Sequence, residues 1–135
     1  MASSTVATRL PEALAQEVAR FAKRRRIGPS EALRAIVAEW AATARYPAIE
    51  FRDGPVGRRP GLRGGPDVWE IAMVGREKSL DVAALCEHFS HVSPQGMEQA
   101  LAYRAEHREE VDAWVEENER LGEELEREHR QRARA

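Results

Sequence analysis

The chain has 135 residues, of which 42% are hydrophobic, 33% are charged and one, Cys86, is a cysteine. This length permits one ordinary domain or two very small ones, and a lone cysteine excludes an internal disulfide framework and is typical of a reducing compartment. No run approaches the roughly 18 consecutive apolar residues of a membrane span, and the first ten residues lack the pattern of a signal peptide. We therefore expect a cytoplasmic protein without a membrane partner.

The formal net charge of −2 conceals an asymmetry along the chain. Residues 1–45 contain eight Lys or Arg against four Asp or Glu, residues 46–91 contain six against seven, and residues 92–135 contain seven against twelve. A basic beginning is suited to an anion such as nucleic acid. The acidic end indicates either a basic partner or simple exposure to water.

The first 45 residues predict one strand followed by two helices. Residues 5–10 alternate, with Val6, Thr8 and Leu10 on one face and Thr5, Ala7 and Arg9 on the other. Pro11 is predicted as the first residue of a helix that runs to about Arg24. Gly28 is predicted as the cap of a second helix, which begins at Pro29 and runs to about Ala44.

A single strand without a hairpin partner needs hydrogen bonds from elsewhere. The simplest source is the same strand of a second copy, paired antiparallel about a two-fold axis. Two strands and four helices then bury a shared apolar core, because about 45 residues alone bury too little surface to be stable. The predicted dimer core comprises Val6, Thr8, Leu10, Leu14, Val18, Phe21, Leu33, Ile36, Val37 and Trp40.

This segment resembles the ribbon-helix-helix family of dimeric DNA-binding proteins, which includes the Arc, MetJ and CopG repressors and many antitoxins. The resemblance rests on Thr5-x-x-x-Arg9-Leu10-Pro11-Glu12-x-Leu14 and on Gly28-Pro29-Ser30-Glu31-Ala32-Leu33-Arg34. It implies that the paired strands enter the major groove of operator DNA and that Thr5, Ala7 and Arg9 contact bases. It also implies that the backbone of Gly28, Pro29 and Ser30 binds a phosphate, although the family often has Ser or Thr where Gly28 stands.

The basic run at the end of the first helix has two interpretations. Lys23, Arg24, Arg25 and Arg26 either contact DNA phosphates or form a solvated helix end whose cations complement the helix dipole.

Residues 46–112 predict a β-hairpin followed by three helices. Ile49–Arg52 is the first strand, Asp53-Gly54 the turn, and the return strand is an edge because it contains Pro60. The helices are predicted at Val68–Val74, capped by Asp67, at Asp81–Phe89, and from the Ser93-Pro94 start to beyond residue 110. This order suggests a winged or plain helix-turn-helix.

The same region resembles the domain-of-unknown-function family 433, found in antitoxin-like proteins. The resemblance rests on Ile49-x-Phe51-Arg52-x-Gly54, on Gly57-Arg58-Arg59-Pro60-x-Leu62-x-Gly64-Gly65-x-Asp67-Val68-Trp69-Glu70, and on Val92-Ser93-Pro94 with Ala100-Leu101-x-Tyr103. It implies a small helix-turn-helix-like domain and the toxin–antitoxin setting of VapB-like antitoxins. It assigns no chemistry.

Residues 113–135 are predicted to form an acidic helical tail with a thin apolar stripe. The tail is either an exposed helix that frays beyond Leu125 or a segment that orders on a toxin. In the second case the toxin-binding residues are Trp114, Leu121, Leu125, Arg127 and Arg130.

Two other patterns do not support a site. Gly61–Pro66 lacks the Gly-Lys-Ser/Thr ending of a phosphate loop and is interpreted as a turn. Cys86, His88 and His91 lack a second ligand pair, so we expect Cys86 in the core and the histidines at the surface. No catalytic constellation is present, and we expect no enzyme, metal or cofactor.

The sequence thus predicts a mainly α protein with short β elements. It comprises a ribbon-helix-helix domain at 1–45, a winged or helix-turn-helix-like domain at 46–112 and a C-terminal helix at 113–135. The expected function is that of an antitoxin that binds operator DNA as a homodimer and neutralises a cognate toxin, of the PIN-like ribonuclease class by resemblance. The alternative is a stand-alone transcriptional regulator whose second domain oligomerises or senses a ligand.

Overall fold

Helices make up most of the chain, and its strands form one hairpin in the part that the structure describes. The computed structural model describes residues 2–134. In chain order the elements are α1 Glu12–Arg25, α2 Pro29–Arg45, β1 Ile49–Gly54, β2 Gly57–Leu62, α3 Val68–Glu77, α4 Val82–His88, α5 Pro94–Glu106 and α6 Arg108–Arg134. The prediction of a mainly α protein with short β elements is confirmed. The chain divides into two compact units between Ala41 and Ala42.

The first unit contains α1 and most of α2, whose bounds match the predicted ones within a residue. Pro11 is the N-cap of α1 and not its first residue, because its ψ of 146° is extended while its carbonyl already accepts the N–H of Ala15 at 3.0 Å. At the other end Arg26 takes the left-handed conformation, with φ of 56°. The N–H of Ile27 then donates to the carbonyl of Ala22 at 3.0 Å, which satisfies an otherwise open helix end.

The hairpin of the second unit has the predicted strands but a different turn. Ile49 pairs with Leu62 and Gly54 with Gly57, so the two-residue loop is Pro55-Val56. The predicted turn residues, Asp53 and Gly54, are the last two of β1. Proline favours the first central position of a tight turn, which explains the shift by two residues.

α5 begins after its predicted cap, Ser93, whereas α4 begins at Val82, one residue later than predicted, because Asp81 is its N-cap. The hydroxyl of Ser93 accepts the N–H of Gly96 at 3.0 Å, and the carboxylate of Asp81 accepts the N–H of Ala84 at 2.9 Å. Together with the hairpin these helices enclose the core of the second unit. Its buried residues are Ile49, Leu62, Val68, Ile71, Ala72, Leu85, Met97, Ala100, Tyr103, Val111 and Val115.

The predicted single helix from Ser93 to beyond residue 110 is wrong, because the chain breaks at His107. This residue has φ of −118° and ψ of 37°, and its ring stacks on Tyr103 with 4.2 Å between centroids. The break lets α6 begin at Arg108 and pack on α3, which buries Val111 and Val115. The predicted start of a separate tail at residue 113 therefore lies inside a helix whose first half belongs to the core.

Arg52 connects β1 to the loop before α3. Its guanidinium donates to the Asp67 carboxylate at 2.6 and 3.0 Å, to the carbonyl of Gly65 at 2.7 Å and to that of Leu62 at 3.2 Å. Gly61 is required beneath it, since a Cβ at that position would collide with the guanidinium. This cluster fixes the hairpin against the N-terminus of α3.

Arg59 connects β2 to α6. It is 5% exposed, and its guanidinium lies 5.8 Å from the ring centre of Trp69 and 5.3 Å from that of Trp114. Glu117 accepts a hydrogen bond from it at 3.1 Å. A buried arginine requires such a counter-charge, so Arg59 holds α6 and the hairpin together.

Candidate nucleic-acid interface

The predicted base-contacting residues lie in a segment without regular structure in the single chain. Residues 2–11 form neither helix nor strand, and Thr5, Ala7 and Arg9 are exposed. The hydroxyl of Thr8 donates to the carbonyl of Arg9 at 3.4 Å, a long and weak bond. Pairing of this segment with a second copy concerns an assembly of two chains and stays a prediction.

The predicted dimer core is largely exposed in the single chain. The exposed fractions are 92% for Val6, 69% for Trp40 and 60% for Val37. Leu10, Leu14, Leu33 and Thr8 are also exposed, whereas Val18, Phe21 and Ile36 are half-buried. Each large apolar side chain of this kind gains about 1.5–3 kcal/mol when it is removed from water. The first unit therefore has an apolar face whose exposure to water is unfavourable in free energy.

Little else stabilises the first unit. Among its described residues only Ala22 and Ala32 are buried, and neither side chain is larger than a methyl group. A unit of this size needs a larger core than two alanines provide. Its apolar face is thus the main source of stability still open to it.

The predicted phosphate-contacting run ends α1. Lys23, Arg24, Arg25 and Arg26 are all exposed. Arg25 lies 3.7 Å from the carboxylate of Glu39 and 5.4 Å from the ring centre of Phe21, so it is directed towards its own unit. The interpretations as phosphate contacts and as a solvated helix end both stay open.

The other predicted phosphate site is the start of α2. Gly28, Pro29 and Ser30 are exposed, and the carbonyl of Gly28 accepts the N–H of Ala32 at 2.9 Å. Backbone N–H groups in the first turn of a helix have no partner within that helix, and they favour anions. The geometry is suited to a phosphate oxygen, although Glu31 adds a negative charge to the same turn.

Charge separates the two units. Residues 1–41 contain seven Lys or Arg against four Asp or Glu, a net charge of +3, whereas residues 42–135 contain fourteen against nineteen, a net charge of −5. The hydrogen bond from Arg20 lowers the pKa of Glu17, so this carboxylate stays ionised and paired with an arginine, and the net charge of the unit stays +3. The first unit is therefore the part of the chain suited to a polyanion.

The predicted toxin-binding residues lie along α6 and differ in exposure. Trp114 is half-buried against Arg59, and Leu121 is half-buried. Leu125 is 66% exposed, and Arg127 and Arg130 are fully on the surface. The helix continues to Arg134, so the predicted fraying beyond Leu125 is not seen.

The remaining sequence patterns fall at the surface or the edge of the core. Cys86 packs partly buried against the core, and His88 and His91 are exposed. Among residues 2–134 no three His, Cys, Asp or Glu side chains form a group that could hold a metal ion. Within the same residues no helix combines the length and the apolar character needed to cross a membrane.

The sequence does not reveal three features of the second unit. These are the burial of Arg59, the hydrogen-bond network of Arg52 and the exposure of Val56 at the tip of the hairpin. Trp69 and Trp114 could have indicated the burial of Arg59, because indole faces often bind arginine. They lie 10 and 55 positions from Arg59 in the chain, so spacing does not link them.

Comparison of the chain with protein-family models, with curated proteins and with solved structures finds no significant match.

Proposed function

We propose that this chain is an antitoxin that binds operator DNA as a homodimer, represses its own promoter and neutralises a cognate toxin of the PIN-like ribonuclease class. In this proposal the first unit is a ribbon-helix-helix domain, and the second is a helix-turn-helix-like domain that contacts the toxin. Neutralisation works by occlusion and needs no catalysis.

The observation that carries the proposal is the exposed apolar face of the first unit. Seven of the ten residues predicted as a dimer core are exposed and the other three are half-buried, while among the described residues the unit buries only two alanines. A second copy covers identical surface about a two-fold axis, which is the usual symmetry of small homodimers. Residues 5–10, which have no regular structure in the single chain, would then pair as strands with the second copy.

Charge and geometry support DNA as the ligand of the dimer. Each copy contributes a first unit with net charge +3, and the exposed Thr5 and Arg9 carry side chains that hydrogen-bond base edges. The two α2 N-termini supply N–H groups for the phosphates beside the reading site.

The second unit is better suited to a protein than to DNA. Its net charge is −5, and the exposed acidic side chains of α5, Glu98 and Glu106, would repel phosphates. This supports assigning operator binding to the first unit and toxin binding to the second.

The test combines a gel shift with sedimentation velocity. The full chain is expected to bind DNA from its own promoter as a dimer, and Arg9→Ala is expected to remove sequence-specific binding and leave the dimer intact, because Arg9 projects away from the shared core. Loss of one bidentate base contact costs about 1–3 kcal/mol per half-site, so two half-sites lower the affinity by roughly a hundredfold or more.

The matched control is Arg20→Ala, which removes an exposed arginine from α1 and should bind the operator like the unchanged chain. Equal operator affinity of Arg9→Ala and the unchanged chain would contradict the assignment of base contacts. Co-expression with the protein encoded by the adjacent reading frame tests the toxin, since a co-purifying nuclease separates an antitoxin from a stand-alone regulator.

A further inference from the structure

A groove lies between the tip of the hairpin and the middle of α6. It has a volume of about 430 Å³ and is bordered by Pro55, Val56, Trp69, Asn118 and Leu121. All of these residues belong to the second unit, and none is one of the residues predicted to contact DNA. The groove is large enough for one or two side chains of a partner.

One exposed apolar side chain lies in this groove and another lies a helical turn beyond it. Among the described residues of the second unit, the large hydrophobic side chains that are exposed are Val56, at 48%, and Leu125, at 66%. Val56 lines the groove, and Leu125 follows Leu121 by one helical turn, about 6 Å along α6. Val56 and Leu121 are thus apolar side chains of the groove itself, and Leu125 lies one turn beyond it, at a separate shallow pocket with His129 and Arg130.

The charges around the groove are mainly negative. Its two arginines are already bound, Arg52 by Asp67 and Arg59 by Glu117. Four acidic residues line the groove against these two arginines, Asp53, Asp67, Glu70 and Glu117. Glu124, which pairs with Arg120 at 2.9 Å on the surface, follows Glu117 by two turns on the same face of α6. Residues 108–128 of α6, which include the part of the helix that lines the groove, contain ten acidic residues against three arginines.

We propose that this groove binds a basic amphipathic segment of a partner protein. An apolar side chain of the segment inserts between Val56 and Leu121, and a second packs on Leu125. Flanking Lys or Arg side chains of the segment face Glu70, Glu117 and Glu124. The acidic border disfavours nucleic acid and anionic lipid as occupants.

This inference rests on the proposed function, because it assigns the toxin-contacting surface to the groove and describes the chemistry of the toxin segment. It differs from the sequence prediction in its residues. Trp114 is committed to Arg59 and is not a free anchor, whereas Val56 and Glu124 become part of the surface.

The experiment measures binding of a fluorescein-labelled probe peptide to the full-length chain by anisotropy. The probe has about 14 residues, or four helical turns, with leucines on one face and Lys or Arg beside them. A second probe replaces every Lys and Arg with Glu. The basic probe is expected to bind and the acidic one not to bind.

Variants on α6 test whether the probe occupies the groove. Leu125→Arg and Glu124→Arg are each expected to weaken binding of the basic probe by about tenfold, the loss typical of one interface anchor. Glu123→Arg is the matched control, because it makes the same charge change on the opposite face of the helix. It is expected to change the affinity by about twofold or less.

Three results would overturn the inference: no binding of the basic probe, equal binding of both probes, or equal effects of Glu124→Arg and Glu123→Arg. The protein from the adjacent reading frame separates this inference from the proposed function. Its co-purification with Leu125→Arg as efficiently as with the unchanged chain would leave the antitoxin role standing and remove the groove as its toxin site. If the unchanged chain fails to bind DNA from its own promoter, that result contradicts the proposed operator binding and leaves the groove inference standing.

Discussion

Two arginines of the hairpin contribute to the fold through different means. Burial opposes the charge on Arg52, but its hydrogen bonds and attraction to Asp67 and Glu50 outweigh burial and raise its pKa. Arg59 lies deeper and combines one carboxylate with two indole faces. Arg52 is therefore held in its charged form, and each of the two arginines depends on its carboxylate partner for its place in the fold.

The Arg52 cluster leads to a stability prediction. Asp67→Asn keeps the shape and the capping ability of the side chain but removes its charge. We expect the free energy of unfolding to fall by about 2 kcal/mol, since a partly buried hydrogen-bonded ion pair is worth more than a surface pair. Urea titration followed by circular dichroism measures the change.

Asp53→Asn is the control for this prediction. Asp53 lies 3.4 Å from Arg58 and is 54% exposed, so the same loss of charge should cost about 0.5 kcal/mol or less. Equal effects of the two substitutions would show that the Arg52–Asp67 pair contributes no more than an exposed one.

Helix starts were predictable because their signals are local. Ser93-Pro94 and Gly28-Pro29 each combine a cap with a proline at the first helical position, and each begins a helix where expected, whereas Asp81, predicted as the first residue of α4, is its cap. The end of α5 was not predictable, since residues around His107 carry no glycine or proline. The break there results from packing of Val111 and Val115 on α3, a contact between residues far apart in sequence.

The candidate sites could be predicted only where they follow a local pattern in the sequence. The exposed face of the first unit follows the helical periodicity of Leu33, Val37 and Trp40, so the sequence identifies it. The groove of the second unit forms where the tip of the hairpin lies beside α6. These two segments are far apart in sequence, so no local pattern predicts that they are neighbours. Val56 therefore has no signal in the sequence.

The two halves of α6 should respond differently to truncation. A chain that ends at Glu119 keeps Val111, Trp114 and Val115 and should unfold at a similar temperature. A chain that ends at Asp112 loses buried Val115 and the indole of Trp114 and leaves Arg59 without Glu117. We expect the free energy of unfolding of this shorter chain to fall by about 4 kcal/mol or more. Thermal unfolding followed by circular dichroism measures the change.

The shorter truncation also bears on function. The chain that ends at Glu119 should bind operator DNA normally, because the first unit is intact. It should no longer bind the proposed toxin, because Leu121 and Leu125 are removed. Unaltered toxin binding by this chain would move the toxin site elsewhere.

Across the molecule, a basic unit with an open apolar face is joined to an acidic unit with a complete core. Val37→Lys places a charge in the middle of the open face, where the side chain is 60% exposed in the single chain. We expect this variant to sediment as a monomer and to lose operator binding, while the second unit stays folded.

Ala38→Lys is the control for that variant, since residue 38 is exposed on the other side of α2 and gains the same charge. It should remain dimeric. A dimeric Val37→Lys protein would contradict the assignment of this face to dimer contact.

A unit whose interior consists of two alanine methyl groups has a folding equilibrium tied to mass action in the proposed dimer. When the copy number falls, the pairs dissociate, and the unprotected N-terminal arms become accessible to proteases. Under the proposed function, promoter occupancy would then decline more steeply than the protein concentration does. If the chain represses its promoter as proposed, the small core of the first unit would make that repression sensitive to the protein's concentration.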